Sequence, residues 1–348
     1  MKNKIIKYEN EEKKKLLKRN YLIKNFLVIK NLKINLKCFI IIIIIFSLNK
    51  LNFLKFNLNK ESIFLHLLYK KEKQKVCVCT LGKRENKYAR EFVEHYKKYG
   101  IDKIIIYDNN DPKDEKFETV LSDYIKSKYV EIKNFRGKSK IQIKAMNDCY
   151  KNNYKKYDWF VMVDMDEFIF LDKYKSIKLF LRKRRFIKCY LIHLNRLFHT
   201  DNNQLYYKNK SLFQRFPEYK TKVTSVKSII RGNISNMIIK HQHKINDRYK
   251  ACNGFGDIIN QTKKPTLFKY YYFDHFYFKS TEEFIEKINR GDCYYIPSQK
   301  LKFHKIKFYF SHNEITEEKI KLIEKKTGVD LEYFKKILLK KKNKKNKI

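Results

Sequence analysis

The chain has 348 residues, with 80 Lys+Arg against 37 Asp+Glu, a formal net charge of +43, and 43% hydrophobic and 16% aromatic residues. That apolar content supports one substantial core and excludes a wholly disordered chain, while 8 Gly and 4 Pro exclude collagen-like and Pro-rich arrays. Lys, Asn, Ile and Tyr recur from end to end, so most of the charge reads as solvated surface; its excess favours an anionic ligand such as a nucleotide or an acidic membrane surface.

Residues 1–37 form a basic segment without a long apolar run. An uncharged run from Cys38 to Leu48, extended in character by Leu51, Phe53, Leu54 and Phe56, reads as a signal anchor over 38–56, although it is shorter than the ~20 residues that span a bilayer. A cleaved signal segment is the alternative. Lys30, Lys33 and Lys37 crowd its N-terminal flank, which places the N-terminus in the cytoplasm and makes the expected topology single-pass type II. Residues 57–75 read as a polar stem.

From Val76 strands and helices alternate. Val76–Leu81 is an apolar run, hence a strand, and Asn86–Tyr99 carries a helical period closed by Gly100. Lys103–Tyr107 is a strand ending in the turn Asp108-Asn-Asn-Asp-Pro112, Glu115–Lys126 is helical, Tyr129–Phe135 is a strand, Lys140–Asn152 is a helix and Trp159–Val163 is a strand. Such alternation predicts an α/β fold with a mostly parallel central sheet flanked by helices, whose ligands gather at the carboxyl ends of the strands. Beyond residue 190 the pattern loosens into short strands and aromatic-rich loops, followed by helices at Thr281–Asn289 and Thr316–Leu339 and a basic tail. The seven cysteines include no C-x-x-C pair; Cys77 and Cys79, two apart in an apolar strand, share a face and read as core thiols. Disulfide pairing stays open.

The sharpest feature is the block from Trp159 to Phe170, in which a hydrophobic strand delivers Asp164 and Asp166 in D-x-D spacing and then Glu167. Two acids side by side in extended backbone repel unless a cation sits between them, and Mg²⁺ or Mn²⁺ bridging to phosphate oxygens resolves that repulsion. Gly82-Lys-Arg84-Glu85 after the first strand supplies a glycine and cations at a helix N-terminus, suited to phosphates. Asp108 and Asn109 end the second strand, positioned to hydrogen-bond a ribose or base.

Taken together, Cys79–Tyr88, Glu91–His95, Gly100, Ile106–Asn109, Gln142, Asp164–Phe168 and His275–Gly291 resemble, in that order, the glycosyltransferases of the family 92 and family 2-like group. The resemblance covers roughly residues 76–295. It implies a GT-A-like fold over 76–310, a C-terminal helix and basic tail over 311–348, a nucleotide-sugar donor (a UDP-sugar first), a divalent metal and inversion at the anomeric carbon. Relatives in the group include galactosyltransferases acting on glycans, so a glycan acceptor is implied. On the matching positions, Asp164 and Asp166 would hold the metal with His275 as a late ligand. Arg84, Glu85, Asp108 and Asn109 would face the nucleotide, and Lys279 and Arg290 the diphosphate. Glu167, Asp257 and Asp292 are the acids from which a catalytic carboxylate would come. The expected setting is a membrane: a Golgi-type lumen in a eukaryote or the envelope in a bacterium. The competing classes are a basic nucleic-acid-binding protein, which would want aromatic-interleaved basic stripes although the aromatic run Tyr270–Phe273 reads better as a buried strand, and an inactive glycan-binding relative.

Overall fold

The computed structural model describes residues 74–220, 225–241, 244–261, 270–291 and 298–345. The basic segment, the expected anchor at 38–56 and nearly all of the stem lie outside the described residues. Among the described residues no helix is long and apolar enough to cross a membrane.

The first half alternates as its periodicity demands. Strand β1 (Val76–Gly82) leads to helix α1 (Asn86–Lys98), β2 (Lys103–Asp108), α2 (Phe117–Lys126), β3 (Val130–Asn134), α3 (Gln142–Asn153) and β4 (Trp159–Asp164). These four strands pair in parallel in the order β3, β2, β1, β4. Both faces are covered, as a parallel sheet requires. Val76, Val78, Ile104 and Ile106 pack with Phe92 and Tyr96 of α1, whereas Cys77, Cys79, Ile105 and Tyr107 pack with Ala145, Met146 and Cys149 of α3. Burying each large apolar side chain of this kind contributes roughly 1.5–3 kcal/mol.

The expectation of a mostly parallel sheet holds only as far as β4. The chain then adds β5 (Glu167–Leu171), a short helix α4 (Ile177–Leu181), β6 (Leu191–His199), α5 (Leu212–Arg215), β7 (Tyr219–Lys220) and β8 (Val226–Arg231). The short strands β9 (Ile239–His241), β10 (Lys244–Ile245), β11 (Ala251–Asn253) and β12 (Ile258–Ile259) precede β13 (Tyr271–His275). Strand β8 runs antiparallel to both β4 and β6, and β13 lies parallel to β6 and antiparallel to β5. The result is a mixed sheet. Tyr271 and Phe273 are buried within it and Tyr270 and Tyr272 half-buried, in keeping with the reading of this aromatic run as a buried strand.

Helix α6 (Thr281–Arg290) starts where Ser280 and Glu283 form a reciprocal capping box, the pairing that S-x-x-E encodes. Helices α7 (Gln299–His312), α8 (Glu317–Thr327) and α9 (Glu332–Lys345) pack with α6 around Phe284, Ile306, Tyr309 and Ile323. The single helix expected over Thr316–Leu339 is two, because Gly328 turns left-handed and caps the first.

Two disulfides brace the sheet. Cys79 of β1 bonds Cys149 of α3, and Cys189 bonds Cys252 of β11, while Cys77 is a buried free thiol. The reading of Cys79 as a core thiol is corrected: the face it shares with Cys77 presents it to a cysteine seventy residues away, a pairing that spacing along one strand does not reveal.

Candidate active site

Strand register brings three carboxyl ends together. Gly82 of β1 lies opposite Asp108 of β2, and Leu81 lies opposite Asp164 of β4. The chain steps outward from β1 to β2 and β3, then returns to the other side of β1 for β4. The β1/β4 junction is therefore the point where connections diverge, and in open α/β sheets ligands bind there. A Cβ on Gly82 would sit 2.5 Å from Phe117 Cζ and 3.1 Å from Met165 Cε. This glycine lets the first loop pack directly against the acidic turn.

The acids themselves are arranged differently from a straight D-x-D strand. β4 ends at Asp164, the chain turns at Met165 and Asp166, and β5 begins at Glu167. Because the extended backbone stops at Asp164, the two aspartates do not share one face, and each has its own partners. Asp164 accepts from Gln142 Nε2 at 2.8 Å and from Lys227 Nζ at 2.6 Å. Asp166 accepts from Lys287 Nζ at 2.6 Å and faces His275 Nε2 at 3.3 Å. Glu167, fully buried, holds Lys227 at 3.0 Å and Arg196 at 3.2 Å and accepts from the Asp164 backbone N–H at 2.9 Å.

Three carboxylates thus meet three cations, Lys227 from β8, Arg196 from β6 and Lys287 from α6. Burial alone would push the Asp166 carboxyl up; Lys287 and His275 more than reverse this and hold it well below the usual carboxylate range. Burial likewise opposes the charge on Lys287, yet Asp166 and Tyr277 keep its pKa above the ordinary lysine value. The His275 imidazole is pushed down by burial, against the pull of Asp166 and Glu167.

As they stand, these residues do not fit a divalent metal. Both oxygens of each aspartate are engaged, and Asp164, Asp166 and His275 are not among the groups whose ligand atoms converge. The one convergent set among the described residues is Cys77, Cys79 and Cys149, of which two form a disulfide.

The other predicted residues are placed as follows. Glu85 is buried and accepts from Lys279 at 2.9 Å and Arg290 at 2.5 Å; burial opposes its charge, but these two cations hold its pKa at about 2. Lys279 and Arg290 therefore share one carboxylate in the wall of a cavity of about 430 Å³ between the first loop and α6. Arg84 reaches Asp111 at 3.0 Å and Asp114 at 2.7 Å. Asp108 is clasped by Arg136 at 2.7 Å, and Asn109 donates to the carbonyls of Phe135 and Lys138, so these two residues lock the turn after β2. Asp257 accepts from Asn253 at 2.9 Å in the loop between β11 and β12. Asp292 lies outside the described residues.

Sequence reasoning missed Lys227, Lys287 and Arg196. Lys227 left a trace: a lysine within the apolar run Val226-Lys-Ser-Ile-Ile230 needs a buried acid. Lys287 left none, because its helix carries charges on several faces.

Residues 72–330 match the sequence profile described as glycosyltransferase family 92. A glycosyltransferase family 92 protein of Oryza sativa subsp. japonica is 26% identical over 101 residues, which span 29% of this chain and 17% of the rice protein. Among solved structures, S. aureus TarS 1–349 in complex with UDP aligns at TM-score 0.32 and 15% identity over 68% of this chain and 72% of that one. The same fragment in complex with UDP-GlcNAc aligns at TM-score 0.33 and 14% identity over 68% and 73%. Similarity at that level does not establish a common fold.

Proposed function

Because the chain belongs to glycosyltransferase family 92, we propose that it transfers a sugar from a nucleotide-sugar donor, a UDP-sugar first and galactose among the candidates, to a hydroxyl of a glycan. The observation that carries this reading is the acidic turn Asp164–Glu167, set by strand register at the divergence of β1 and β4, beside the first loop. In the GT-A-like arrangement that the family implies, the donor crosses this junction. Its nucleoside end faces the β1–α3 side, on which Thr80, Tyr107, Gln142 and Asp164 lie together.

The chemistry proposed is direct displacement with inversion. The acceptor hydroxyl oxygen bonds to the anomeric carbon while the bond from that carbon to the diphosphate oxygen breaks. The hydroxyl proton passes to a carboxylate, and the electron pair leaves with the nucleoside diphosphate. Lys287, the cation bonded to Asp166 and open to the adjoining cavity, is placed to meet charge that develops on the departing diphosphate. No step is assigned to a metal, since the acids already hold lysines.

Two disulfides support a catalytic domain that matures in an oxidising compartment, in keeping with the single-pass type II topology expected of residues 1–56. The test is a panel of nucleotide sugars incubated with the full chain and scored by released nucleoside diphosphate. Turnover is expected with at least one donor. Asp166→Asn, which keeps the shape but removes the charge that holds Lys287, should lower kcat by about 10²–10³-fold. A folded full chain that neither binds nor turns over any donor sinks the assignment.

A further inference from the structure

The cavity between the first loop and α6 adjoins the acidic turn without belonging to it. Lys287 is the link: its Nζ bonds Asp166 at 2.6 Å, and its side chain lines the cavity. At about 430 Å³ the cavity is ample for a monosaccharide and within the range of small-ligand sites.

Its wall carries five cations, Arg84, Lys87, Lys279, Lys287 and Arg290, and three acids, Glu85, Glu283 and Glu286, a balance of 5 − 3 = +2. The cations are already matched. Lys279 and Arg290 hold Glu85, Lys87 lies 3.7 Å from Glu283 and 3.2 Å from Glu286, and Arg84 holds Asp111 and Asp114. A diphosphate entering here would meet the carboxylates of Glu85 and Glu286 and find its counter-ions engaged, at a cost in repulsion and desolvation; Glu283 is held apart by Arg215 and Ser280. A polyol meets the opposite situation. Each hydroxyl both donates and accepts, so alternating ammonium and carboxylate groups satisfy it on both counts.

Resting on the transferase reading above, we infer that this cavity is the subsite for the acceptor saccharide, with Lys87 and Glu286 at its rim as the hydroxyl-gripping pair. The donor sugar and nucleoside then lie on the Asp164 side of the turn and the acceptor on the Asp166 side; Lys287, at the boundary between turn and cavity, meets the departing diphosphate where the reacting atoms come together. The rim continues outward in the same chemistry. The Tyr207 ring lies 4.9 Å from Lys87 Nζ, its backbone N–H is pinned by Glu282, and the neighbouring Tyr206 is 56% exposed. Rings of this kind give a further sugar unit of a longer glycan an apolar face to rest on.

The experiment uses the full chain and a panel of methyl glycosides of galactose, glucose, mannose, fucose and N-acetylglucosamine. Lys87→Met and Glu286→Ala alter two side chains that are 35% and 60% exposed, so folding should be retained, and circular dichroism checks it. Each variant should raise KM for the acceptor glycoside about tenfold, the scale of a lost charge-assisted hydrogen bond. KM for the donor, and the slow release of nucleoside diphosphate without acceptor, should stay within about twofold. An unchanged acceptor KM overturns the inference; a raised donor KM reassigns the cavity to the donor and also overturns it. Saturation-transfer NMR of the glycosides gives a readout independent of turnover. If the wild-type chain releases no nucleoside diphosphate from any donor, the transferase reading fails. Glycoside binding that both variants weaken would even then uphold a saccharide site, and absence of binding would end that too.

Discussion

The four parallel strands and the strands beyond β4 bury their polar groups in opposite ways. In β1, β2 and β4 the strand interiors are apolar on both faces, and charges sit at the carboxyl ends or on the edge strand β3, as in the exposed Lys133–Glu131 pair at 2.6 Å. In the mixed region, charge lies inside the sheet: Lys227 is fully buried in β8, and Arg196 and His275 flank Glu167 from β6 and β13. The first region brings the acids to the junction, and the second brings most of the cations that make them tolerable there. The acidic turn belongs to both, so each region completes the other's electrostatics.

That comparison is broken most severely at Lys227. Lys227→Met leaves the fully buried Glu167 without one of its cations beside the half-buried Asp164 and should cost about 3–5 kcal/mol in urea unfolding, while the surface change Lys133→Met should cost less than about 1 kcal/mol. Equal effects would show that the buried cations of the mixed region are not what holds the turn.

The disulfides test which region limits stability. Cys149→Ala removes a bridge across 70 residues of the parallel region and Cys252→Ala one across 63 residues, so chain entropy predicts losses of about 2–4 kcal/mol for each. Thermal unfolding of the two variants checks this. A loss confined to one of them would place the limit in its region.

The smallest expected effect is one of pH. His95 of α1 lies against Phe168 and Phe213, with Nε2 at 2.9 Å from the Ile169 carbonyl, and burial pushes its imidazole down to about 4. The unfolded chain binds the proton first, near pH 6.5, so stability from this residue is complete above that pH. It falls as the pH drops from about 6.5 to about 4, by at most about 2–3 kcal/mol. His95→Gln should flatten that part of the stability–pH curve; an unchanged slope would shift the effect to other groups.

Much of the parallel region is legible in the sequence, because two-sided burial writes apolar runs such as Ile104–Ile106 and helix periods such as Phe92, Val93 and Tyr96 directly into the chain. The acidic turn was equally plain, since Asp164, Asp166 and Glu167 interrupt a run of apolar residues in a chain short of acid. The mixed region was not legible. Strands of two or three residues such as β10 and β12 are too short to show a period, and their pairing depends on partners far along the chain.

By itself, then, the sequence determined the elements of the first half, the acids and the family, because these depend on short-range patterns of side chains and on local order. Only the tertiary structure decided which cations answer those acids, that the D-x-D backbone turns, that Cys79 meets Cys149, and that Lys279 and Arg290 share Glu85. Apart from that turn, each of these is a contact between groups tens to hundreds of residues apart, settled by how the helices and sheet pack.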